Sequence, residues 1–363
     1  MLTLGQKMEG IPQREKGLIR IGVIFGGMSS EREPSLASGR NVCRQLDPQK
    51  YTVIPIFMDM EARLWELPEK LLVQNTTTDI AVRVEREARR LRYEDLKERV
   101  DIVFVALHGK YGEDGCLQGV LELLKIPYTN SGVLASALGL NKPIQHRLLR
   151  EMGIRVPKGI TISMKRWKED PEGAIKEIEG SIGFPCAVKP TREGSSIGVS
   201  IVREADQAGQ ALEKAFQWDN EALVEEMLDG MEFSCTVLGN ENPEAMPPTE
   251  IVKVHEYFTY EDKYMPGATE EVTPARLSEH LLEKVMREAE KAHRVLGFMG
   301  SSRIDGFIVG EDVIISDCHS TCGMAPPAFL FQQAAEVGLT PRMLLGKIVE
   351  YAFEAHRNKI GPL

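Results

Sequence analysis

The chain has 363 residues, 42% of them hydrophobic and 27% charged, with a formal net charge of −10. That balance suits a soluble globular chain of about two or three domains. No run of roughly 18 apolar residues could span a membrane, and no basic stripe could follow a nucleic-acid backbone, so neither is expected as a partner. The N-terminal stretch MLTLGQKMEGIPQREKG is short, polar and mixed in charge. It lacks the apolar run of a signal peptide, so residues 1–18 are expected to form a flexible leader and the chain to be cytoplasmic. Six cysteines stand at 43, 116, 186, 235, 318 and 322. The first four are expected as small buried residues of a reducing compartment. Cys318 and Cys322 flank His319 and raise the question of zinc, but the second C-x₂-C knuckle of a structural zinc site is missing.

In chain order, Leu18–Phe25 reads as a buried strand, Gly26-Gly27 follows, and a helix runs from Pro34 with the proline near its first turn. Strand, glycine turn and helix make the usual anion or small-ligand edge of an α/β sheet. The dinucleotide fingerprint G-x-G-x-x-G is absent. The turn offers Ser29, Ser30, Glu31, Arg32 and Glu33 instead, a cluster that an ordinary solvated loop could also show. Tyr51–Met58 is a second strand. Val84–Val100 (VEREARRLRYEDLKERV) is dense in charge but mixed in sign, and reads as a solvated helix face. Asp101–Leu107 is a third strand, ending in His108-Gly109-Lys110-Tyr111-Gly112-Glu113-Asp114-Gly115. Its glycines permit close backbone approach to a ligand, and a histidine just past a parallel strand stands where open α/β sheets bind ligands. Helices Leu117–Leu124 and Ser136 onward complete a doubly wound N-terminal unit, residues 19–140.

Helix Lys142–Met152 leads to strand Gly159–Ser163 and helix Pro171–Glu179. Strand Phe184–Pro190 follows, then the turn Thr191–Gly198 (TREGSSIG) and strand Val199–Val202. A turn with two glycines and two serines, next to the strand-end Lys189, can wrap phosphate oxygens with N–H groups and hydroxyls. A plain surface hairpin is the other reading, and the Walker pattern of lysine followed by Ser/Thr opening a helix is absent. Helix Glu204–Phe216 and strand Ala222–Met227 end a central unit, residues 141–229. The last unit, residues 230–363, has strands Glu232–Leu238 and Glu250–Val254, then an aromatic and charged loop between His255 and Thr273. A loop of that length inside a compact domain is usually functional. Helix Ser278–Leu296 precedes a hairpin, Ser302–Val309 and Val313–Asp317, joined by a Gly-Glu-Asp turn. Helices Phe329–Val337 and Pro341–Arg357 close the chain.

The hairpin carries the sharpest chemistry. Alternation places Arg303 and Asp305 on one face of its first strand, and Asp317 and His319 on one face of its second. A guanidinium, two carboxylates and an imidazole at one end of a hairpin suit a divalent metal that holds phosphate oxygens. Solvated acids on a surface hairpin are the alternative.

Together these segments resemble the ATP-grasp superfamily, and within it the D-alanine–D-alanine ligases, from Ile21 to about Tyr351. The matching stretches, in the family's order, are FGGMSSEREPSLASG (Phe25–Gly39), ALHGKYGEDGCLQG (Ala106–Gly119) and YTNSGVLASALGLNK (Tyr128–Lys142). VKPTREGSSIGVS (Val188–Ser200), YEDKY (Tyr260–Tyr264) and RID (Arg303–Asp305) follow. The resemblance implies a three-domain ATP-grasp α/β fold and a cytoplasmic ligase, usually a homodimer, that serves peptidoglycan synthesis. ATP phosphorylates the carboxylate of one D-alanine, and the amine of a second attacks the acyl phosphate. By the same resemblance Lys142 and Lys189 grip the ATP phosphates under Ser195 and Ser196, Glu225 and Glu226 lie by the adenine, and Glu232 by the ribose. Lys263, with Tyr264, reaches the transferring phosphate. Glu33 holds the first ammonium, His108 stands on the carboxylate side, and Arg303 with the Gly323 N–H forms the oxyanion site. Asp305, Asp317 and His319 would hold Mg²⁺, with Mn²⁺ as the alternative.

The chain departs from the family pattern twice. Asp317-Cys318-His319-Ser320-Thr321-Cys322-Gly323-Met324 stands for the family's Glu-x-Asn-x-x-Pro-Gly-Met, which exchanges an amide oxygen for a ring nitrogen less suited to hard magnesium. Ala325-Pro326-Pro327-Ala328 stands for a serine-containing segment that holds the second substrate's carboxylate. A ligase with another amine acceptor, or a weakened nucleotide-binding relative, is the alternative function.

Overall fold

The computed structural model describes residues 17–194, 196–253 and 269–360. Ser195, Lys263, Tyr264 and nearly all of the expected leader lie outside the described residues. Three sheets organise the rest. The first contains β1 (Ile19–Gly26), β2 (Tyr51–Met58), β3 (Leu64–Glu66), β4 (Arg89–Leu91) and β5 (Ile102–Val105), in the order β4-β3-β2-β1-β5. β1 runs parallel to β2 and β5, whereas β3 and β4 add antiparallel. The last six residues of β1 are all buried, as a strand covered on both faces requires. Gly26 ends it at φ +91°, where a Cβ would lie 2.7 Å from the Met58 carbonyl oxygen; only glycine turns the chain there.

Helix Arg32–Gln45 covers one face, and its Leu36 and Val42 share a core with Leu344, Leu345 and Ile348 of the C-terminal helix Pro341–Ile360. The other face packs Leu117 and Leu121 of helix Cys116–Leu123. The chain's last long helix thus returns to its first sheet.

The second sheet contains β6 (Gly159–Ser163), β7 (Cys186–Pro190), β8 (Ser200–Val202) and β9 (Glu221–Glu226), ordered β6-β9-β7-β8 and antiparallel throughout. Cys186, Val188, Ala222 and Val224 pack on helices Pro171–Ser181 and Ala205–Phe216. By alternation Lys189 and Glu225 emerge on the opposite face.

The third sheet contains β10 (Met231–Leu238), β11 (Glu244–Ala245), β12 (Thr249–Lys253), β13 (Thr269–Val272), β14 (Ser301–Val309) and β15 (Asp312–His319). Its order is β13-β12-β10-β14-β15, with β11 on β10. Ile304 and Ile308 of β14 point into a core with Val285, Ala289 and Ala292 of helix Glu279–Val295. Arg303 and Asp305 take the other face.

Two expectations are corrected. Val84–Val100 is not one helix: it breaks into helix Val84–Glu87, β4, a 3₁₀ turn Tyr93–Asp95 and helix Leu96–Arg99. Its charges close local pairs, Glu87 with Arg83 just before the run and Arg92 with Asp95, both at 2.8 Å, while Val84, Leu91 and Leu96 are buried on different elements. Cys116, expected buried, is exposed at a helix start; Cys43 is half-buried, and all six cysteines are free. No helix among the described residues is long and apolar enough to cross a membrane.

Helix Glu279–Val295 also carries the buried His293, whose Nδ1 lies 2.7 Å from Ser302 Oγ. Burial pushes its pKa down to about 4. The unfolded chain, with a histidine near 6.5, binds the extra proton between those values, so stability falls as pH drops from about 6.5 to about 4 and is unaffected above that window. His293→Gln should remove up to about 3 kcal/mol of this acid loss, measured as the difference between wild-type and variant urea unfolding at pH 7 and pH 4.5.

Candidate active site

Across β14 and β15, Arg303 stands opposite His319 and Asp305 opposite Asp317, and the register slips after Asp305. Arg303 Nε lies 3.1 and 3.0 Å from the two Asp305 oxygens. Ser234 Oγ, from the facing position on β10, donates to Asp305 at 2.7 Å. His319 Nε2 is 3.4 Å from Asp305 and 3.6 Å from Asp317, and Lys142 Nζ is 3.5 Å from Asp317. Burial works against ionising both aspartates, but the nearby cations win. Arg303 and then His319 hold Asp305 well below the usual carboxylate range, and Lys142, His319 and Lys189 do so for Asp317. Burial opposes the Arg303 charge as well, and Asp305 more than offsets it.

One atom stays unmatched: Asp317 Oδ1 is buried with no hydrogen-bond partner. Among the described residues no group of three or more His, Cys, Asp or Glu side chains is arranged to hold a metal ion, and buried Cys318 and Cys322 build no zinc knuckle. Magnesium does not need a cage; it binds through one or two carboxylates and completes its shell with water and substrate phosphates. Two ionised aspartates, one with a free buried oxygen, fit that habit.

Helix Lys142–Glu151 brings the next groups. Asn141 caps it through Ile144 N at 3.2 Å and Pro143 sits in its first turn. Its buried stripe is Lys142, Gln145, His146 and Leu149, polar where a core helix would be apolar. Gln145 clamps Cys318 of β15, donating to its carbonyl at 2.8 Å and accepting from its N–H at 3.0 Å. His146 Nε2 donates to the Ser316 carbonyl at 2.9 Å, and its Nδ1 lies 3.1 Å from Glu225. The other Glu225 oxygen pairs with Lys189. Burial raises the Glu225 pKa, but Lys189 and the His146 ring together more than reverse it. Glu226, next along β9, faces elsewhere and accepts from Lys158 N at 2.8 Å. Glu232 is the second residue of β10, the next strand in the chain, opposite Phe307. Gln145 and His146 escaped the sequence reading, and the signal was there: polar residues at i, i+3 and i+4 on the buried face of an amphipathic helix.

The first sheet supplies the remaining wall. His108, after β5, lies 2.8 Å from Ser38 Oγ through Nε2 and 3.2 Å from Glu113 through Nδ1. Burial raises the Glu113 pKa, but the His108 ring more than reverses it. Ser38 Oγ also accepts from Met324 N at 3.1 Å, and Asn41 donates to the Met324 carbonyl at 2.9 Å, so Gly323 is held beside His108. A Cβ on Gly323 would stand 3.9 Å from the Ala328 methyl.

The two acids of the β1 turn divide. Glu33 is exposed and accepts from Thr77 Oγ1 at 2.5 Å and Thr77 N at 3.1 Å, away from the other groups. Glu31 is only 8% exposed. A Cβ at Gly194 would lie 2.9 Å from Glu31 Oε1, and one at Gly109 3.3 Å from its Oε2, so Glu31 sits between the His108 loop and the Thr191–Gly198 turn. In that turn Ser196 has φ +59°, and the Glu193 carbonyl accepts from Lys142 Nζ at 2.7 Å. The arrangement is a cleft of paired opposite charges that can receive phosphate, a cation and a zwitterion.

Two family models match the chain, described as D-ala D-ala ligase N-terminus over residues 20–131 and D-ala D-ala ligase C-terminus over residues 148–350. A D-alanine–D-alanine ligase of Syntrophobacter fumaroxidans is 36% identical over 338 residues, 93% of this chain and 98% of that one. Among solved structures, the VanG D-Ala:D-Ser ligase of Enterococcus faecalis has a TM-score of 0.82 at 29% identity, over 93% of this chain and 100% of its own. A D-alanine–D-alanine ligase of Bacillus anthracis, complexed with ATP, has a TM-score of 0.73 at 28% identity, over 94% of this chain and 100% of its own.

Gln145→Leu should strand a buried N–H and a buried carbonyl at Cys318. Each unmade bond costs about 1–3 kcal/mol, so the variant should lose about 2–5 kcal/mol in urea unfolding; a loss near zero would show that the clamp is not needed.

Proposed function

The chain belongs to the D-alanine–D-alanine ligase family, and we propose that its cleft joins two D-alanines, using ATP and releasing ADP and phosphate. The fold is ATP-grasp and the protein is an enzyme. The observation that carries the reading is the row of paired charges Lys189, Lys142, Asp317, His319, Asp305 and Arg303, laid along one cleft. The intact row supports a working ligase over a weakened nucleotide binder. We divide the molecule at residues 19–140, 141–229 and 230–363, supported by one sheet in each, and place it in the cytoplasm, supported by its six free cysteines. A homodimer rests on the family resemblance alone.

In this mechanism a carboxylate oxygen of the first D-alanine attacks the γ-phosphorus of ATP and ADP leaves. The amine of the second then adds to the acyl phosphate, and the tetrahedral adduct loses phosphate. Negative charge builds on phosphoryl oxygens and then on the tetrahedral oxygen, so fixed donors are the main need. Lys142 and Lys189 meet the phosphates, with Lys189 leaving Glu225 to do so; Ser196 stands in the turn above them. Glu225 then serves the adenine amino group, and Glu232 the ribose. Glu226, already bonded to Lys158, serves the edge of that pocket. Glu31 takes the first ammonium, a role its burial supports better than the exposed Glu33. His108 orients the carboxylate with Glu113 behind it. Arg303 and the Gly323 N–H face the tetrahedral oxygen. Asp305 and Asp317, with His319 beside both, would hold Mg²⁺ or Mn²⁺, which supplies charge neutralisation on the phosphates.

Lys189→Ala should raise the ATP KM by about ten- to a hundredfold or abolish phosphate release, because a charge-assisted bond is worth about 1.5–3 kcal/mol; unchanged ATP kinetics would sink the reading. Glu31→Gln should raise the D-alanine donor KM at least about tenfold, and Glu33→Gln far less. The reverse order would return the ammonium to Glu33.

The acceptor end supports a narrower statement. Ala325–Ala328 contains no hydroxyl, two of its residues lack an N–H, and the Ala328 methyl stands beside Gly323. A free acceptor carboxylate should therefore lose one bond, and the D-alanine acceptor KM should lie about ten- to a hundredfold above that of a site with the hydroxyl. Ala328→Ser should recover it. D-Alanine, D-serine and D-alaninamide compared in an ADP-release assay decide the matter, and an amide much worse than D-alanine would show another donor in place.

A further inference from the structure

Two elements of the first sheet reach the turn Thr191–Gly198 of the second. Glu31 lies against Gly194, as described. The other contact is an ion pair: Lys110, two residues past His108, meets the carboxylate of Glu193. The Glu193 side chain is 7% exposed and that of Lys110 36%. Lys110 Nζ also donates to the Trp218 carbonyl at 3.1 Å. Trp218 covers the far end of the same turn, its ring 2.9 Å from where a Cβ of Gly198 would lie. The root of the turn is tied separately: Thr191 Oγ1 and Arg192 bind Asp219 at 2.6 and 3.0 Å.

Glu193 is thus held from both sides. Its carboxylate takes a cation from the His108 loop, and its carbonyl takes Lys142, a cation proposed for the phosphates. As a source of stability the pair is weak, because a partly exposed ion pair contributes about 0–1 kcal/mol. Its position matters more, since among the described residues it is the one ion pair between the loop that carries His108 and the turn that would wrap the nucleotide.

We propose that the Lys110–Glu193 pair is a positioning bridge through which occupancy of the amino-acid end and of the nucleotide end favour each other. The inference rests on the ligase reading above. Whichever ligand arrives first orders the loop or the turn, and the bridge passes that order across the cleft, so the second ligand loses less conformational freedom on binding. Such coupling is reciprocal: D-alanine tightens nucleotide by the factor that nucleotide tightens D-alanine. Neither residue touches the reacting atoms.

The test is calorimetric titration of the full chain with AMP-PNP and magnesium, without and with saturating D-alanine. In the wild type D-alanine should tighten AMP-PNP. Lys110→Met and Glu193→Gln, which keeps the carbonyl for Lys142, should each lower that ratio by about two- to fivefold. In Lys110→Met the AMP-PNP affinity alone should change by less than about twofold, and the Glu193→Gln ratio is taken against that variant's own affinity without D-alanine. The exchanged double variant Lys110→Glu/Glu193→Lys should restore most of the ratio, which a merely structural role would not predict. A ratio unchanged in the single variants, or lost without rescue in the double, overturns the bridge. A wild type that binds both ligands with no mutual effect also overturns it. A wild type that binds neither overturns the ligase reading itself.

Discussion

Everything in the cleft depends on keeping the half-buried Asp305 and Asp317 ionised. A lone buried carboxylate takes up a proton, because desolvation disfavours its charged form by several kcal/mol. Here Asp305 is matched by Arg303 on the same strand and the His319 ring on the facing one, and Asp317 by Lys142 from a helix and Lys189 from another sheet, with the His319 ring beside it. The Asp317 charge is therefore matched only when the helix and the second sheet are docked, whereas Asp305 is matched within its own sheet. For Asp317, folding and site assembly become one event.

The polar stripe of helix Lys142–Glu151 explains how the docking is held. Gln145 completes the hydrogen bonding of Cys318, and His146 links Ser316 to Glu225. A leucine-lined helix would pack against β15 from a range of angles, since apolar contact is not directional. Directed bonds fix its axial position, and with it the height at which Lys142 enters the cleft.

Much of this was legible in the residues. Alternation placed Arg303 with Asp305 and Asp317 with His319, and the structure pairs them across one hairpin. The turn at Thr191–Gly198 was visible from its glycines. Choosing between Glu31 and Glu33 was not possible from the sequence, because the two acids differ by two positions at a helix entry. Their fates depend on Thr77 and Gly194, distant in the chain. The run Val84–Val100 misled for a related reason: its charge pattern fits a helix, but Leu91 is drawn into β4 beside β3, and local pattern cannot report a strand neighbour. His146 was hidden because a polar residue on a buried stripe looks like a fault in the pattern until its partners are known.

The return of helix Pro341–Ile360 to the first sheet has a consequence for biosynthesis. Leu344, Leu345 and Ile348 complete the core that Ile21, Val23 and Phe25 begin, and Lys359 bonds Glu122 at 2.7 Å. During translation the N-terminal strands and helix Arg32–Gln45 emerge first, yet the side of their shared core that Leu344, Leu345 and Ile348 close stays open until more than 300 further residues have left the ribosome. At about 5–20 residues per second that interval is tens of seconds. The nascent chain must carry this open side through that time shielded by other means, and a stalled ribosome short of residue 341 would release a chain whose first core is incomplete.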